Sequence, residues 1–485
     1  MRVSRWLITG LVASVLGCAQ PTPEQQIVND AARALGGRDR VLKVTTIALE
    51  GEGRQFNLGQ DMRPDAAEQT FTVSGLSRRQ DLTANRSRTE LTRTPAFAYF
   101  QGQAPQRQIQ GIDGDVAYNI AANDTVSRAA TPVANDRKSD LLHHPVAIVR
   151  AASSPGATVA NARTAGSERL VDITANGRQF VLAVDSTGLP LRVESRSDHA
   201  NLGDVILSTH FADYQDVNGV KMPARITTKV DDFTTGELRF TRQTIDGDIG
   251  DLAAPAAAGS AAPVAGPPAP NVVPEQVAPW IWLLAGQSHH SVLLEMKDHL
   301  LLVDAPQSEA RTLAVLAKVK ELRPDKPLRA VITTHHHFDH TAGIRAAMAD
   351  GLSIITQSGN KAFFEAMGRR PHTIAPDTLA KNPKPVSVTT VDEELILTDG
   401  PAPVAIYHVA GNPHSDTMLM VHIPSERVLI EVDAFSPGAS VNPYAANLLE
   451  NISRRSLRVD RIVSLHGGIA PFADLAKVAA PATTH

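Results

Sequence analysis

A stretch of alanine, proline and glycine near the middle of the chain limits what this sequence can fold into. Within residues 253–270, all but one serine and one valine belong to these three types. Such a segment cannot bury enough apolar surface to offset the entropy cost of ordering it, and its prolines favour extended backbone. We therefore predict an interdomain linker at residues 251–271, between one unit at 19–250 and another at 272–485.

The composition of the 485 residues is that of an ordinary globular protein, with 42% hydrophobic and 20% charged residues. Lys and Arg number 47 against 51 Asp and Glu, so the net charge is −4 and no nucleic-acid partner is expected. The single cysteine, Cys18, rules out an intramolecular disulfide and a cysteine-based zinc site. Any metal site must therefore use histidines and carboxylates.

Residues 1–18 are typical of an export signal. Two arginines precede an uncharged apolar run at residues 6–16, which is shorter than the ~20 residues needed to span a bilayer. The sequence Val-Leu-Gly-Cys that ends at Cys18 resembles a bacterial lipobox. This resemblance implies a signal peptide cleaved before Cys18 and a membrane anchor of lipid on that residue, hence a periplasm-facing lipoprotein of the bacterial cell envelope, in the outer or inner membrane. The alternative is a plain secretory signal with a chance cysteine.

The unit at residues 19–250 is predicted to be mainly antiparallel β-sheet with a few helices. Alternating apolar runs flank Asn176-Gly177 and Asn218-Gly219, and Asn-Gly in this position favours a type I′ hairpin. The segment DYQDVNGVKMPARI resembles the lipoprotein carrier and sorting domains of the bacterial envelope. His143 and His144 are neighbours on a predicted helix, so we expect surface or cap positions rather than joint ligands.

From residue 272 the pattern changes to short apolar strands that alternate with helices. The apolar run LRAVITT is typical of a buried strand, and it leads directly into His335-His336-His337-Phe338-Asp339-His340. In extended chain His335 and His337 point to the same side and can bind one metal ion. Asp339 and His340 lie where the chain turns into a helix and can face a second ion. Imidazole and carboxylate ligands suit zinc.

Three further candidate ligands lie downstream, each at the end of an apolar strand: His414, Asp433 and His466. The ordered set His-x-His-x-Asp-His, His, Asp, His resembles the metallo-β-lactamase-fold superfamily over about residues 275–470. The resemblance implies an αββα sandwich, with the site at one edge between two sheets. The whole chain is therefore expected to be of the α+β class.

The resemblance also implies a role for each residue of the set. One zinc ion would be held by His335, His337 and His414. A second zinc ion would be held by Asp339, His340 and His466, with Asp433 bridging both ions. His336 and Phe338 fill variable positions and would not bind metal, while Asp304 would support the ligands by hydrogen bonds from behind.

An aspartate at position 433 is like the glyoxalase II, lactonase and processing-nuclease branches, whereas zinc β-lactamases have a cysteine or a small residue there. No basic cluster lies near the ligands, which weighs against phosphodiester substrates. We expect a hydrolase that uses a metal-bound hydroxide on a small-molecule ester, thioester, lactone or β-lactam. Asp339 would orient the nucleophile and move its proton.

Two alternatives remain open. Some members of this fold bind one iron and oxidise persulfides, so a mononuclear iron sulfur dioxygenase has a similar ligand set. A lipophilic-ligand-binding envelope lipoprotein, with a vestigial metal half, is the other. Three more histidines, His289, His290 and His372, are not placed by the sequence: they could overhang the site from a loop, but turn or surface roles are expected for them.

The lipid anchor is tested by the substitution Cys18→Ser, which removes the only thiol that could carry it. We expect the wild-type chain to sediment with membranes and the variant to lose that association, because several acyl chains give stable anchoring. Fractionation of cells that express either chain is the measurement. Membrane association that is the same for both chains would contradict the anchor.

Overall fold

The computed structural model describes residues 20–479, so the predicted export signal and Cys18 lie outside the described residues. The first half has four helices: α1 (Pro23–Ala34), α2 (Arg38–Lys43), α3 (Thr131–Asp140) and α4 (Pro145–Ala152). Its strands are β1 (Thr46–Phe56), β2 (Thr70–Asp81), β3 (Arg86–Pro95), β4 (Gln106–Asp113), β5 (Val116–Ile120), β6 (Val126–Arg128), β7 (Thr158–Ala165), β8 (Glu168–Ala175), β9 (Arg178–Val184), β10 (Pro190–His199), β11 (Gly203–Val217), β12 (Val220–Val230) and β13 (Phe233–Ile245).

These strands form one sheet of thirteen, in the order β6-β5-β4-β3-β2-β1-β13-β12-β11-β10-β9-β8-β7. Each strand is antiparallel to its neighbours, and the pairing of β1 with β13 joins two meanders into a single sheet. Apolar side chains of the sheet pack with α1, α2 and α4 into one core that includes Val41, Ile148, Phe180 and Val193. The prediction of a mainly antiparallel β fold for this half is confirmed.

Both predicted hairpin turns are present. Asn176 and Gly177 have φ values of 52° and 72° between β8 and β9, and Asn218 and Gly219 have 52° and 80° between β11 and β12. Two successive positive φ values are what a type I′ turn requires.

His144 takes a predicted cap position, as the N-cap of α4, whereas the surface or cap position expected for His143 is wrong. The two rings are only 8% and 6% exposed, and the His143 ring bonds the hydroxyls of Thr209 and Ser195 at 3.1 and 2.9 Å. The sheet covers this helix end, which adjacency in the sequence cannot reveal.

The Ala/Pro-rich segment that connects the two halves packs against the thirteen-stranded sheet. It contains a short helix, α5 (Ala256–Gly259), in which Ala258 is fully buried. The backbone N–H of Thr131 donates to the carbonyl of Val264 at 2.8 Å, and the Arg128 guanidinium donates to the carbonyl of Ala261. Proline has no N–H to donate, so this segment bonds to the sheet through backbone carbonyls, those of Ala261 and Val264.

The second half contains two sheets and seven helices among the described residues. The strands of the first sheet are β14 (Val273–Ala278), β15 (Ile281–Ala285), β16 (Ser291–Glu295), β17 (Leu300–Val303), β18 (Leu328–Ile332), β19 (Ser353–Gln357) and β20 (Val388–Val391). Those of the second are β21 (Glu394–Leu397), β22 (Val404–His408), β23 (Leu419–Ile423), β24 (Val428–Glu431), β25 (Arg461–Ser464) and β26 (Gly468–Pro471). The helices are α6 (Glu309–Leu322), α7 (Phe338–Thr341), α8 (Ile344–Ala349), α9 (Lys361–Arg369), α10 (Thr378–Lys381), α11 (Ala445–Arg454) and α12 (Phe472–Ala479).

These elements form four layers. The inner faces of the two sheets share a core that includes Leu283, Ile332, Val421 and Val463. The first sheet packs on its outer face against α6, α8 and α9, and the second against α11 and α12. The αββα sandwich predicted for this half is confirmed. Within residues 20–479, no helix is both long and apolar enough to cross a membrane.

Candidate metal centre

The seven predicted ligands lie together at one edge of the sandwich, each in a segment that follows a strand. Three segments contribute single residues: His414 after β22, Asp433 after β24 and His466 after β25. The remaining four, His335, His337, Asp339 and His340, follow β18 and enter the short helix α7. Four strands, β18, β22, β24 and β25, therefore end at the same edge and bring these side chains into contact.

The side chains form two groups, in each of which four ligand atoms lie within 4.8 Å of one another. The first group is His335, His337, His414 and Asp433. Within it, the His337 Nδ1 lies 3.0 Å from the His414 Nε2, and the Asp433 Oδ2 lies 3.0 Å from the His414 Nε2 and 3.3 Å from the His335 Nε2. This is the set that the family resemblance assigned to one ion, together with the carboxylate expected to bridge the two ions.

The second group is His289, Asp339, His340 and His466. The His340 Nε2 lies 3.2 Å from the His466 Nε2, and the His289 Nε2 lies 3.2 Å from the Asp339 Oδ2. The surface position expected for His289 is therefore wrong, and the alternative, a loop histidine that overhangs the site, is what the structure shows. Its position depends on the β15–β16 connection, which reaches over to the ends of β18 and β25, and no local pattern in the sequence indicates this.

Asp433 contacts both groups. Besides its contacts in the first group, its Oδ2 lies 3.1 Å from the His340 Nε2 and its Oδ1 lies 2.8 Å from the His466 Nε2. Its backbone has φ of 57°, in the left-handed region, which Asp tolerates better than most residues. Such strain persists only where the surroundings enforce it, as they do at functional sites.

Asp304 supports the ligands from behind. It is fully buried, and its two oxygens accept hydrogen bonds from the N–H and the hydroxyl of Thr334, both at 2.7 Å. The hydroxyl of Thr334, having donated to Asp304, accepts from the His335 Nδ1 at 3.2 Å, which leaves the Nε2 of His335 with its lone pair. The other Asp304 contact is with the His340 Nδ1, at 3.3 Å from Oδ2. The structure thus places Asp304 where it can perform the predicted supporting role.

Backbone carbonyls fix two more rings. The His466 Nδ1 lies 3.1 Å from the carbonyl of Ser288, and the His337 Nε2 lies 2.8 Å from the carbonyl of Asp61. A carbonyl only accepts, so each of these nitrogens carries the hydrogen and the opposite nitrogen offers a lone pair toward the centre.

The electrostatics of the cluster match a cation site. Burial lowers the pKa of His335 to about 4 and that of His337 well below its usual value, so these imidazoles are neutral near pH 7. Burial opposes the charge on Asp433, but the neighbouring His340 and His466 outweigh it and hold the pKa of that carboxyl well below its ordinary range. His335 and His337 therefore combine neutral imidazoles with the ionised carboxylate of Asp433, as metal ligands require. Burial opposes a charge on His340, but Asp433 and Asp339 outweigh it and raise the pKa of that ring well above its usual value.

The donor set fits zinc-sized ions. The Nε2 of His335 is buried and makes no hydrogen bond within residues 20–479. Two ligands that each lie about 2.0 Å from one tetrahedral ion are separated by roughly 3.3 Å, and the nitrogen–nitrogen and nitrogen–oxygen separations above are close to that value. A cation between them would satisfy atoms that otherwise face one another without partners.

Solvent reaches the centre from one side. The Asp339 side chain is 41% exposed, whereas that of His335 is fully buried and that of Asp433 is 11% exposed. On this side the first half contributes Gln60, whose Nε2 donates to the Asp339 Oδ1 at 2.7 Å. The sequence did not indicate Gln60 or Asp61 as parts of the site, and the only signal is the length of the segment between β1 and β2.

The other two unplaced histidines lie outside these groups. His290 follows His289 and accepts at its Nδ1 from the N–H of Gly286 at 3.2 Å. His372 is 7% exposed, and its Nδ1 lies 3.6 Å from the Oδ2 of Asp377. The structure gives His290 a turn role, whereas the expected surface position of His372 is wrong.

Comparison with known proteins gave one family match and several similar solved structures. Residues 284–441 match the family model of the metallo-beta-lactamase superfamily, while a search of curated proteins found no match. Similar solved structures include the DIM-1 metallo-beta-lactamase, at 21% identity and TM-score 0.33 over 43% of this chain and 96% of that one. A metallo-beta-lactamase from Pontibacter korlensis has 16% identity and TM-score 0.33 over 43% and 97% of the two chains. The FIM-1 enzyme from Pseudomonas aeruginosa, in its mono-zinc form, has 16% identity and TM-score 0.33 over 43% and 93%. By this match, residues 284–441 within the αββα half form a metallo-beta-lactamase superfamily region, and the match supports a metal-dependent hydrolase.

Proposed function

We propose that the chain is a dinuclear zinc hydrolase that cleaves an ester, thioester, lactone or β-lactam bond in a small molecule. The observation that carries this proposal is the position of Asp433, whose carboxylate contacts histidines of both ligand groups. A carboxylate with two oxygens can serve two neighbouring ions at once. The donors are imidazoles and carboxylates, which favour zinc among the common divalent ions.

Two zinc ions in these groups would lower the pKa of water toward 7 and polarise a substrate carbonyl. The chain's own contribution is to hold and move a proton. Asp339 is the acidic ligand most open to solvent, and its Oδ1 is fixed by the amide of Gln60 while its Oδ2 faces His289. We propose that Asp339 takes the proton of the attacking water.

The hydrolysis uses water as its nucleophile and needs no nucleophile from the protein. Water adds to the carbonyl carbon, the bond from that carbon to the leaving heteroatom breaks, and the proton taken up by Asp339 passes to the leaving heteroatom. His289 lies 3.2 Å from the Asp339 Oδ2 and holds the carboxylate in one orientation during the transfer.

We also propose that this hydrolysis takes place in the bacterial cell envelope, on a lipoprotein anchored through Cys18. The support is the arginine-led apolar run of residues 6–16 and the lipobox-like ending at Cys18. The Cys18→Ser comparison above tests this location independently of the chemistry.

Metal content of the purified full chain tests the dinuclear centre. We expect two zinc ions per chain by inductively coupled plasma mass spectrometry, and fewer in His335→Ala and Asp433→Ala, because each removes a ligand. One matched control is His210→Ala, on β11 of the thirteen-stranded sheet. The other is Asp460→Ala, whose carboxylate forms an exposed ion pair with Arg427. Both controls should keep two ions. The same metal content in all five proteins would contradict the site. One iron per chain would favour persulfide oxidation instead.

The substitution Asp339→Asn tests the proton-transfer role, because it keeps the shape of the side chain but removes its basicity. On whichever ester, thioester, lactone or β-lactam the wild-type chain hydrolyses, we expect kcat to fall by about 10²-fold or more. Metal content is measured in the same samples. Unchanged kcat with unchanged metal content would show that Asp339 does not carry the proton.

A further inference from the structure

Four consecutive residues of the first half make hydrogen bonds to the metal-binding half. They form the segment 59–62, which we name the strap, within the connection between β1 and β2. The bonds are Phe338 N–H to the Gly59 carbonyl at 3.1 Å, Gln60 Nε2 to Asp339 Oδ1 at 2.7 Å, His337 Nε2 to the Asp61 carbonyl at 2.8 Å and Asp416 N–H to the Met62 carbonyl at 2.8 Å.

We propose that the strap is a working part of the metal centre, in which the first half positions one ligand of each ion. The proposal rests on the proposed function in that it takes both ligand groups to bind metal. It assigns a role to the thirteen-stranded half: the centre is assembled from both halves, and Gln60 and the Asp61 carbonyl are positioning groups for Asp339 and His337.

The Asp61 carbonyl sets which nitrogen of His337 is available. Because the carbonyl accepts from Nε2, the hydrogen is held there and the Nδ1 lone pair is turned toward His414, 3.0 Å away. Outer hydrogen bonds of this kind orient a ligating ring and strengthen its bond to the ion. No residue of the second half takes this position behind His337 within the described chain.

The Gln60 amide restrains Asp339 in the same way. Asp339 is the most exposed of the ligands, so water competes for its oxygens. The amide occupies Oδ1 and leaves Oδ2 directed at the second group, 3.2 Å from the His289 Nε2 and 3.7 Å from the His340 Nε2. A carboxylate that is free to rotate would spend part of its time away from the ion.

The strap approaches the ligand segment so closely that only glycine fits at position 59. Gly59 has φ of 77°, and a Cβ there would lie 2.2 Å from the Cδ2 of Phe338. Phe338 lies between two candidate ligands, His337 and Asp339, so a side chain at 59 must displace the Phe338 ring, the strap or the ligand segment.

Two other contacts hold the first half in this place. The buried Asn201 side chain donates to the hydroxyl of Thr341 at 2.8 Å, one residue beyond His340. The Tyr444 hydroxyl donates to the carbonyl of Ala98 at 2.6 Å, and the Tyr444 ring lies 5.0 Å from that of His414. The position of the strap is therefore fixed by contacts on both sides of the centre as well as by its own four hydrogen bonds.

Zinc affinity of the full chain tests the strap. The variants are Gln60→Ala and Gly59→Ala, and the matched control is Gln110→Ala, an exposed glutamine on β4. Each protein is stripped of metal and titrated with zinc against a chromophoric chelator, and cobalt(II) absorption spectra report the geometry around each ion. Thermal unfolding and circular dichroism establish that each variant is folded.

We expect Gln60→Ala to lower the affinity for one of the two zinc ions by about 10- to 100-fold and to leave the affinity for the other unchanged. Gly59→Ala displaces the Asp61 carbonyl as well, so it should weaken both ions and change the cobalt spectrum, whereas Gln110→Ala should match the wild type. If all four folded proteins bound two zinc ions with the same affinities and gave the same cobalt spectrum, the proposed role of the strap would be contradicted. The dinuclear centre would still stand.

A wild-type chain that binds a single ion would instead contradict the dinuclear function. The strap is still tested in that case, because Gly59→Ala must weaken an ion held by His337, and Gln60→Ala must weaken one held by Asp339. If neither variant lost zinc affinity, the proposed role of the strap would be contradicted independently of the dinuclear function.

Discussion

The carboxylate of Asp433 lies among the imidazoles of four histidines, and the rest of the centre depends on how that cluster is balanced. A buried carboxylate is costly unless opposite charge compensates it, and buried imidazoles that face one another offer lone pairs without donors. Bound cations resolve both problems at once. The strand ends, the left-handed backbone at Asp433 and the hydrogen bonds of Asp304 all serve to hold these side chains in contact.

The two halves of the chain contribute differently to this arrangement. The αββα half supplies every candidate metal ligand among the described residues, since parallel and antiparallel strands of two sheets end at one edge. The thirteen-stranded half supplies hydrogen bonds to Asp339 and His337 from outside, and it borders the side from which solvent reaches the centre. Its large sheet gives the strap a rigid base, which an isolated loop of this length would lack.

Local sequence patterns predicted what local geometry determines. The shared direction of His335 and His337 at a strand end and the Asn-Gly hairpins follow from residue periodicity and turn chemistry. The αββα layering was implied only by the family resemblance of the ordered ligand set. His289 and Gln60 could not be found in this way, because each reaches the centre through the packing of segments far apart in the chain. Gln60 and Asp339 are 279 residues apart, and only the docking of the two halves brings them together. The burial of His143 has the same origin.

Anomalous X-ray diffraction from crystals of the zinc-loaded chain, recorded on both sides of the zinc absorption edge, tests the central claim most directly. The account predicts two zinc peaks a few ångströms apart, one among His335, His337 and His414 and the other among Asp339, His340 and His466, with the Asp433 carboxylate between them. A single peak, or zinc bound away from these side chains, would contradict it.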